Sequence, residues 1–288
     1  PQRQGLLHIA HRSGKGEPMY PVLFSVAGRP VGTHDVFVAL AILVGLAVFL
    51  AETRRRRMWD ERLIPVIVGL VVGGALGARA AEVLDALLQG GFGALAWAWQ
   101  EGGRTILGGL TGAYVGALVG KRISGYPGRT GDLFAPAVAI GLAIGRIGCF
   151  LSEAPGRPTT LPWGITVDPA VAASIPECPG CVAGVPMHPS FLYEIAFCLA
   201  AFAVLLWLRD RLDGPGETFV LFVAAYAVFR FGVEFTRANP PDLWGLTRSQ
   251  VFLLALSPLI AVRLWRAARR GVYSRALSAV RIPSRGAA

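Results

Sequence analysis

The chain has 288 residues, 53% of them hydrophobic and only 16% charged, against roughly 25% charged in an ordinary soluble domain, which excludes a soluble cytosolic globule. Its 28 lysines and arginines exceed its 18 acidic residues, but a mean hydropathy of +0.52 confines that charge to short segments between apolar stretches, so a nucleic-acid binder is excluded too. Four cysteines are too few for a disulfide scaffold and lack the paired knuckles of a structural zinc site.

Residues 1–18 are polar and lack the apolar core of a signal peptide, so they read as a poorly ordered or non-native extension with Met19 as a candidate start. Beyond them, apolar runs long enough to cross a hydrocarbon core of roughly 30 Å predict about seven transmembrane helices. The expected fold is one all-α polytopic membrane domain over 19–270, followed by a basic cytoplasmic tail over 271–288.

The first run, Val36 to Leu50, follows His34 and closes on Arg54 to Arg57. The second, Leu63 to Leu84, carries Arg79 and Glu82 and glycines at 69, 73 and 77; the third, Thr105 to Gly120, has glycines at 108, 112, 116 and 120. A four-residue repeat puts each glycine row on one helix face, where it lets two backbones approach closely. The fourth run, Leu133 to Leu151, spaces Arg146, Cys149 and Glu153 at i, i+3 and i+7, again one face.

The following loop holds Gly156, Cys178-Pro179-Gly180-Cys181 and His188. A C-x-x-C in a Pro-rich loop, without the βαβ setting of a redox motif, reads as a local disulfide clip between Cys178 and Cys181. The fifth run, Phe191 to Leu208, has Tyr193 and Glu194 in its first turns. The sixth, Thr218 to Phe235, places Arg230 and Glu234 on one face, with Arg237 continuing it at i+7. The seventh is Val251 to Leu264.

Lysines and arginines in short loops stay cytoplasmic. Arg54 to Arg57, Arg62, Lys121, Arg122, Arg129, Arg209, Arg211 and the arginines from Arg263 to Arg285 all fall on one side, placing the N-terminus outside and the C-terminus inside. In that orientation the ionisable groups of the second, fourth, fifth and sixth helices gather at their outer ends. Charges inside a bilayer are costly and mark sites, and clustered arginines hold phosphate by charge-assisted hydrogen bonds. An anionic phospholipid headgroup is the expected guest. The simpler alternative is a set of Arg–Glu pairs that lock helices together, although charges on four helices exceed what packing needs. His188 has no second ligand at suitable spacing, so no metal centre is expected there.

Three ordered blocks carry a resemblance. They are Gly145-Arg146-Ile147-Gly148-Cys149-Phe150 with Glu153 and Gly156-Arg157-Pro158; His188-Pro189-Ser190-Phe191-Leu192-Tyr193-Glu194; and Phe229-Arg230-Phe231-Gly232-Val233-Glu234-Phe235-Thr236-Arg237. Together, over about Met19 to Leu264, the chain resembles the prolipoprotein diacylglyceryl transferases, whose corresponding motifs are G-R-x-G-N-F, H-P-[ST]-Q-L-Y-E and R-x-x-V-E-F-x-R. The resemblance implies transfer of the diacylglyceryl group of phosphatidylglycerol to the lipobox cysteine thiol of a secreted prolipoprotein, at the outer face of the bacterial inner membrane, with no cofactor and no metal. It implies catalytic roles for Arg146, Glu153, Arg230 and Glu234. Headgroup contacts would come from Arg146, Arg230, Arg237, Cys149, Gly156, His188, Tyr193, Glu194 and Arg79. The partners implied are phosphatidylglycerol, prolipoprotein signal peptides and membrane lipid, with no nucleic acid.

The chain departs from the pattern at specific positions. Leu107 stands in the family's His-Gly-Gly, whose histidine is assigned a base role; Cys149 replaces the motif asparagine; Phe191 replaces a glutamine; and His34-Asp35-Val36-Phe37 replaces an H-x-Y-G-like segment. A thiol attacks as thiolate, so Glu153, Glu234, His34 or His188 takes over the base role, or the arginines depress the thiol's pKa. Two other functions stay open: a homologue that binds anionic phospholipid without transfer, and a membrane thiol oxidoreductase using Cys178 and Cys181.

Overall fold

The computed structural model describes residues 22–26, 29–90, 105–153, 155–167 and 184–280. The extension 1–18, Met19 and the Cys178–Cys181 pair lie outside the described residues, as does 281–288 of the tail. Among the described residues the chain forms a hairpin and eight helices: α1 (Thr33–Arg55), α2 (Leu63–Gly90), α3 (Ile106–Ser124), α4 (Gly131–Ser152), α5 (Ser190–Leu208), α6 (Glu217–Val233, prolonged by a 3-10 turn, Glu234–Thr236), α7 (Arg248–Arg269) and α8 (Ser274–Val280).

Six of them, α1, α2, α4, α5, α6 and α7, are long and apolar enough to cross a membrane. The third expected span folds as α3 but is not among the six, because its glycines and the closing Lys121–Arg122 pair dilute its hydropathy. Large apolar side chains such as Leu43, Val72, Val228 and Leu259 face outward, a surface that water disfavours and hydrocarbon accepts. The chain is a multi-pass membrane protein. The hairpin pairs β1 (Val22–Val26) antiparallel with β2 (Arg29–Gly32). The sequence offered no helical period there, and the alternation is too short to announce strands.

Two compact units divide the chain, one spanning Glu52–Arg129 and the other built from the segments on either side. In the first, α2 and α3 run antiparallel along a glycine ladder: Gly69 meets Gly116, Gly73 meets Gly112, Gly77 meets Gly108, and Gly120 meets Pro65. At each rung an added Cβ strikes the facing backbone. Thr105 caps α3, accepting the Gly108 amide at 3.2 Å, while its own amide donates to the Ala78 carbonyl at 2.8 Å. Gly116→Ala is therefore expected to cost about 3 kcal/mol, the upper end for overpacking, since backbone cannot step aside like a side chain. Gly74→Ala, whose Cβ meets the Ala113 Cβ at 3.4 Å, is the neutral control. Thermal unfolding in detergent compares the two, and equal melting temperatures would contradict the ladder.

In the second unit α4 packs against both α5 and α6. Small residues on its buried face, Ala135, Ala139 and Ala143, let these neighbours close in. Phe49 stacks on Phe134 at 4.5 Å and Phe197 on Phe229 at 4.2 Å. At one end Asp132, in the first turn of α4, accepts the amides of Gly216 at 2.6 Å and Thr218 at 3.0 Å, satisfying donors that the start of α6 leaves open. Glu217 then pairs with Arg263 at 2.5 Å, tying α6 to α7. At the other end Gly148 is decisive, because a Cβ there would lie 2.6 Å from the Cβ of Phe37. Its absence lets the start of α1 close onto the end of α4 and brings His34 beside Cys149.

Candidate active site at the helix ends

Alternating chain direction puts the C-terminal ends of α4 and α6 together with the N-terminal ends of α1 and α5. Arg146 comes from α4, Phe191 and Glu194 from α5, Tyr226 and Arg230 from α6, Glu234 from the 3-10 turn, and Arg237 from the extended residue closing it. Helix α6 stops at Val233, so Arg237 is positioned by this turn rather than by a continuing helical face.

Glu194 and Glu234 are the anionic centres, at 0% and 1% exposure. Tyr226 donates its hydroxyl to Glu194 Oε1 at 2.7 Å. Arg146 Nε lies 2.9 Å from Glu194 Oε2, an ion pair whose angle falls outside hydrogen-bond geometry, and Arg237 Nη1 is 4.0 Å from the same oxygen. Glu234 pairs with Arg230 through Oε2 and accepts hydrogen bonds at Oε1 from Asn239 at 2.7 Å and Thr247 at 2.9 Å. Arg237 Nε is 3.9 Å from Glu234 Oε2. The Phe191 ring lies between two guanidiniums, 5.6 Å from that of Arg146 and 4.9 Å from that of Arg237, within cation–π range.

Three guanidiniums thus face two buried carboxylates. Arg230 Nε, Arg237 Nε and Arg237 Nη1 are buried without a hydrogen-bond partner among the described residues. Burial first, and then the neighbouring Arg146 and Arg230, hold the pKa of Arg237 below the usual arginine value.

Beside Arg146 sits a second group. Its Nη1 is 3.7 Å from Cys149 Sγ, which is 3.6 Å from His34 Nδ1; that same ring nitrogen is 3.3 Å from Glu153 Oε1. Glu153 faces His34 rather than the guanidiniums that pair with Glu194 and Glu234. Burial favours the protonated form of Glu153, but His34, Cys149 and the charge of Arg146 outweigh it and hold this carboxyl below the usual range.

His188 and Tyr193 form a third group, 3.2 Å apart, with Trp163 donating to the Tyr193 hydroxyl at 2.8 Å. Gly156 builds the frame: its amide donates to the His188 carbonyl at 2.8 Å, and an added Cβ would strike Ser190 Oγ and the Thr236 carbonyl. Only a residue without a side chain lets this segment thread between α5 and the end of α6. Arg79 belongs to α2 in the other unit, as does Leu107 in α3, while Cys178 and Cys181 lie outside the described residues.

The motifs gave no site role to Tyr226, Asn239 or Thr247, although Thr247 lies in Leu246-Thr247-Arg248-Ser249-Gln250, a weaker echo of the family pattern. Tyr226 had a signal, since it precedes Arg230 by four residues and shares its helix face. Thr247 had another, because Thr247 and Gln250 form the capping box of α7. Asn239 had none.

A model of the family described as prolipoprotein diacylglyceryl transferase matches residues 21–266. Among relatives named phosphatidylglycerol-prolipoprotein diacylglyceryl transferase, that of Cereibacter sphaeroides is 36% identical over 266 residues, covering 78% of this chain and 85% of the relative. That of Gloeobacter violaceus is 33% identical over 265 residues, covering 89% and 96%. That of Bordetella bronchiseptica is 32% identical over 249 residues, covering 79% and 87%.

Proposed function

The chain belongs to the prolipoprotein diacylglyceryl transferase family of transferases, and from that premise we propose that it moves the diacylglyceryl group of phosphatidylglycerol onto the lipobox cysteine thiol of a secreted prolipoprotein. The observation that carries this reading is three guanidiniums, those of Arg146, Arg230 and the partly exposed Arg237, gathered on two buried carboxylates, with buried nitrogens on Arg230 and Arg237 that have no hydrogen-bond partner among the described residues. A phosphodiester is an anion that these donors fit. Its oxygens take charge-assisted hydrogen bonds from Arg230 and Arg237, with Arg146 alongside.

The chemistry then follows from where charge grows. The thiolate sulfur attacks the glyceryl carbon, the carbon–oxygen bond to phosphate breaks, and glycerol phosphate leaves with one more negative charge than the phosphodiester had. Guanidiniums fixed around that phosphate favour the transition state over the ground state, because its charge is the larger. Glu194, Tyr226, Asn239 and Thr247 position the arginines. The acceptor thiol is activated at the group of His34, Cys149 and Glu153, which borders Arg146 and stands in for the base that Leu107 cannot supply.

The positive-inside rule supports an outer-face site: α5 begins at the site and ends beside Arg209 and Arg211, and those arginines belong in the cytoplasm. We therefore propose a site at the outer face of the bacterial inner membrane, with the N-terminus outside and the transferase domain over 19–270.

Donor selectivity tests the reading. A choline or ethanolamine cation beside three guanidiniums is repelled, whereas the neutral glycerol of phosphatidylglycerol is not. Purified protein is expected to release glycerol phosphate from phosphatidylglycerol in the presence of a lipobox peptide, with phosphatidylcholine at least about tenfold slower, a preference of about 1.4 kcal/mol. Equal rates from both lipids would contradict a site built on surplus positive charge. Phosphatidylglycerol binding without release would favour a lipid-binding relative.

A further inference from the structure

Phe191, the second residue of α5, stands where the family motif has a glutamine. It is buried, and its ring lies between the two guanidiniums that border Glu194: the ring centroid is 5.6 Å from Arg146 Cζ and 4.9 Å from Arg237 Cζ. Helix α5 offers both cations the same two groups, because Phe191 and Glu194 sit at i and i+3 on one face. The carboxylate alone holds them unequally, with Arg146 Nε at 2.9 Å from Oε2 and Arg237 Nη1 at 4.0 Å from the same atom, and the two cations repel each other. An aromatic face carries the negative part of the ring's quadrupole and attracts both.

The contact is anchored through the backbone on both sides. Ser190, just before Phe191, donates its hydroxyl to the carbonyl of Thr236 at 2.9 Å, and Thr236 directly precedes Arg237. The Arg157 amide donates to that same carbonyl at 2.8 Å. Ring and guanidinium thus project from two residues whose neighbours are already tied together.

A ring and a glutamine differ in what they leave for a ligand. A glutamine carbonyl holds a guanidinium by accepting one of its N–H groups. An aromatic face attracts the cation as a whole and needs no N–H aimed at an acceptor atom. Arg237 Nε and Nη1 accordingly stay buried without a hydrogen-bond partner among the described residues.

We propose that Phe191 is a positioning residue for transfer: its ring holds the guanidiniums of Arg146 and Arg237 at one phosphate while leaving their N–H groups to the phosphate oxygens. This rests on the transferase reading above and adds to it a residue that acts only through the two arginines. Departing glycerol phosphate carries more negative charge than the phosphodiester, so loosened guanidiniums weaken the transition state more than the ground state. The ring's contribution therefore falls on kcat more than on KM.

Fluorination of the ring is the test, since each fluorine draws electron density from the ring face while adding little volume. Full-length protein in detergent carries phenylalanine or its mono-, di- or trifluorinated form at position 191, and each is assayed with phosphatidylglycerol and a lipobox peptide well below its melting midpoint. The expected result is a kcat that falls with each added fluorine, by about tenfold across the series, with KM changed about twofold or less. Phe191→Leu, which has no ring face, should be at least as slow as the trifluorinated protein; if it does not fold, the near-isosteric series decides alone. Equal kcat throughout would reduce Phe191 to packing and overturn the proposal. A second readout needs no turnover: affinity for glycerol phosphate, a dianion like the departing group, should fall in the same order. Transfer with a flat kcat series removes the role of Phe191 and leaves the transferase reading intact. Absence of transfer from every protein, with affinity for glycerol phosphate falling along the series, keeps the ring's hold on the phosphate site and removes that reading, whereas absence of transfer with flat affinities removes both.

Discussion

Arg237→Ala is expected to lower diacylglyceryl transfer by about 10²- to 10³-fold while changing folding stability by about 1 kcal/mol or less. The asymmetry follows from how the five clustered charges are shared. Glu194 keeps Arg146 and the Tyr226 hydroxyl, and Glu234 keeps Arg230, Asn239 and Thr247. Arg237 stands 3.9 Å and 4.0 Å from the two carboxylates, too far to be the principal partner of either. Deleting it strands no carboxylate and relieves its repulsion with Arg146 and Arg230. What disappears is the pair of unpartnered donors that a phosphate would use. Steady-state kinetics with melting curves on the same samples check both halves. A variant that unfolds, or one that transfers at the wild-type rate, would show that Arg237 is structural or idle.

Arg146→Ala should behave oppositely, losing about 3–5 kcal/mol of stability along with transfer. Glu194 is fully buried, and removing its nearest cation leaves a carboxylate with the Tyr226 hydroxyl and a guanidinium 4.0 Å away; an uncompensated buried charge of this kind carries that penalty. Combining Arg146→Met with Glu194→Gln removes both charges, keeps the volume and leaves an acceptor for Tyr226. The double variant should recover most of the lost stability and remain inactive, because the phosphate site still lacks Arg146. A double variant as unstable as the single one would mean that Arg146 supports the fold through something other than Glu194.

Much of this architecture was legible because helical period is a local signal. The spacing of Arg146 and Cys149 on α4, and of Arg230 and Glu234 at the end of α6, already put these groups on common faces. Matched depth followed from alternating helix direction. The two glycine rows were readable as packing rows, although only the structure shows them meeting rung by rung in an antiparallel pair. Contacts between distant segments left no trace. His34 reaches Cys149 across 115 positions, and nothing in the spacing of either helix announces that meeting; it depends on Gly148 admitting Phe37. Asn239 lies beyond any periodic element. The third expected span shows the opposite limit, since a glycine row that favours close helix packing also lowers the apolarity by which a membrane helix is recognised.

The arginine-rich polar cluster is the central claim, and the mass of a lipobox peptide after incubation with purified protein and phosphatidylglycerol tests it most directly. Wild-type protein is expected to give a peptide heavier by one diacylglyceryl group in thioether linkage and an equal amount of glycerol phosphate, with almost no adduct from Arg237→Ala at the same time point. An unmodified peptide from wild-type protein that still binds phosphatidylglycerol would contradict it and leave a membrane protein that holds the lipid without transferring it.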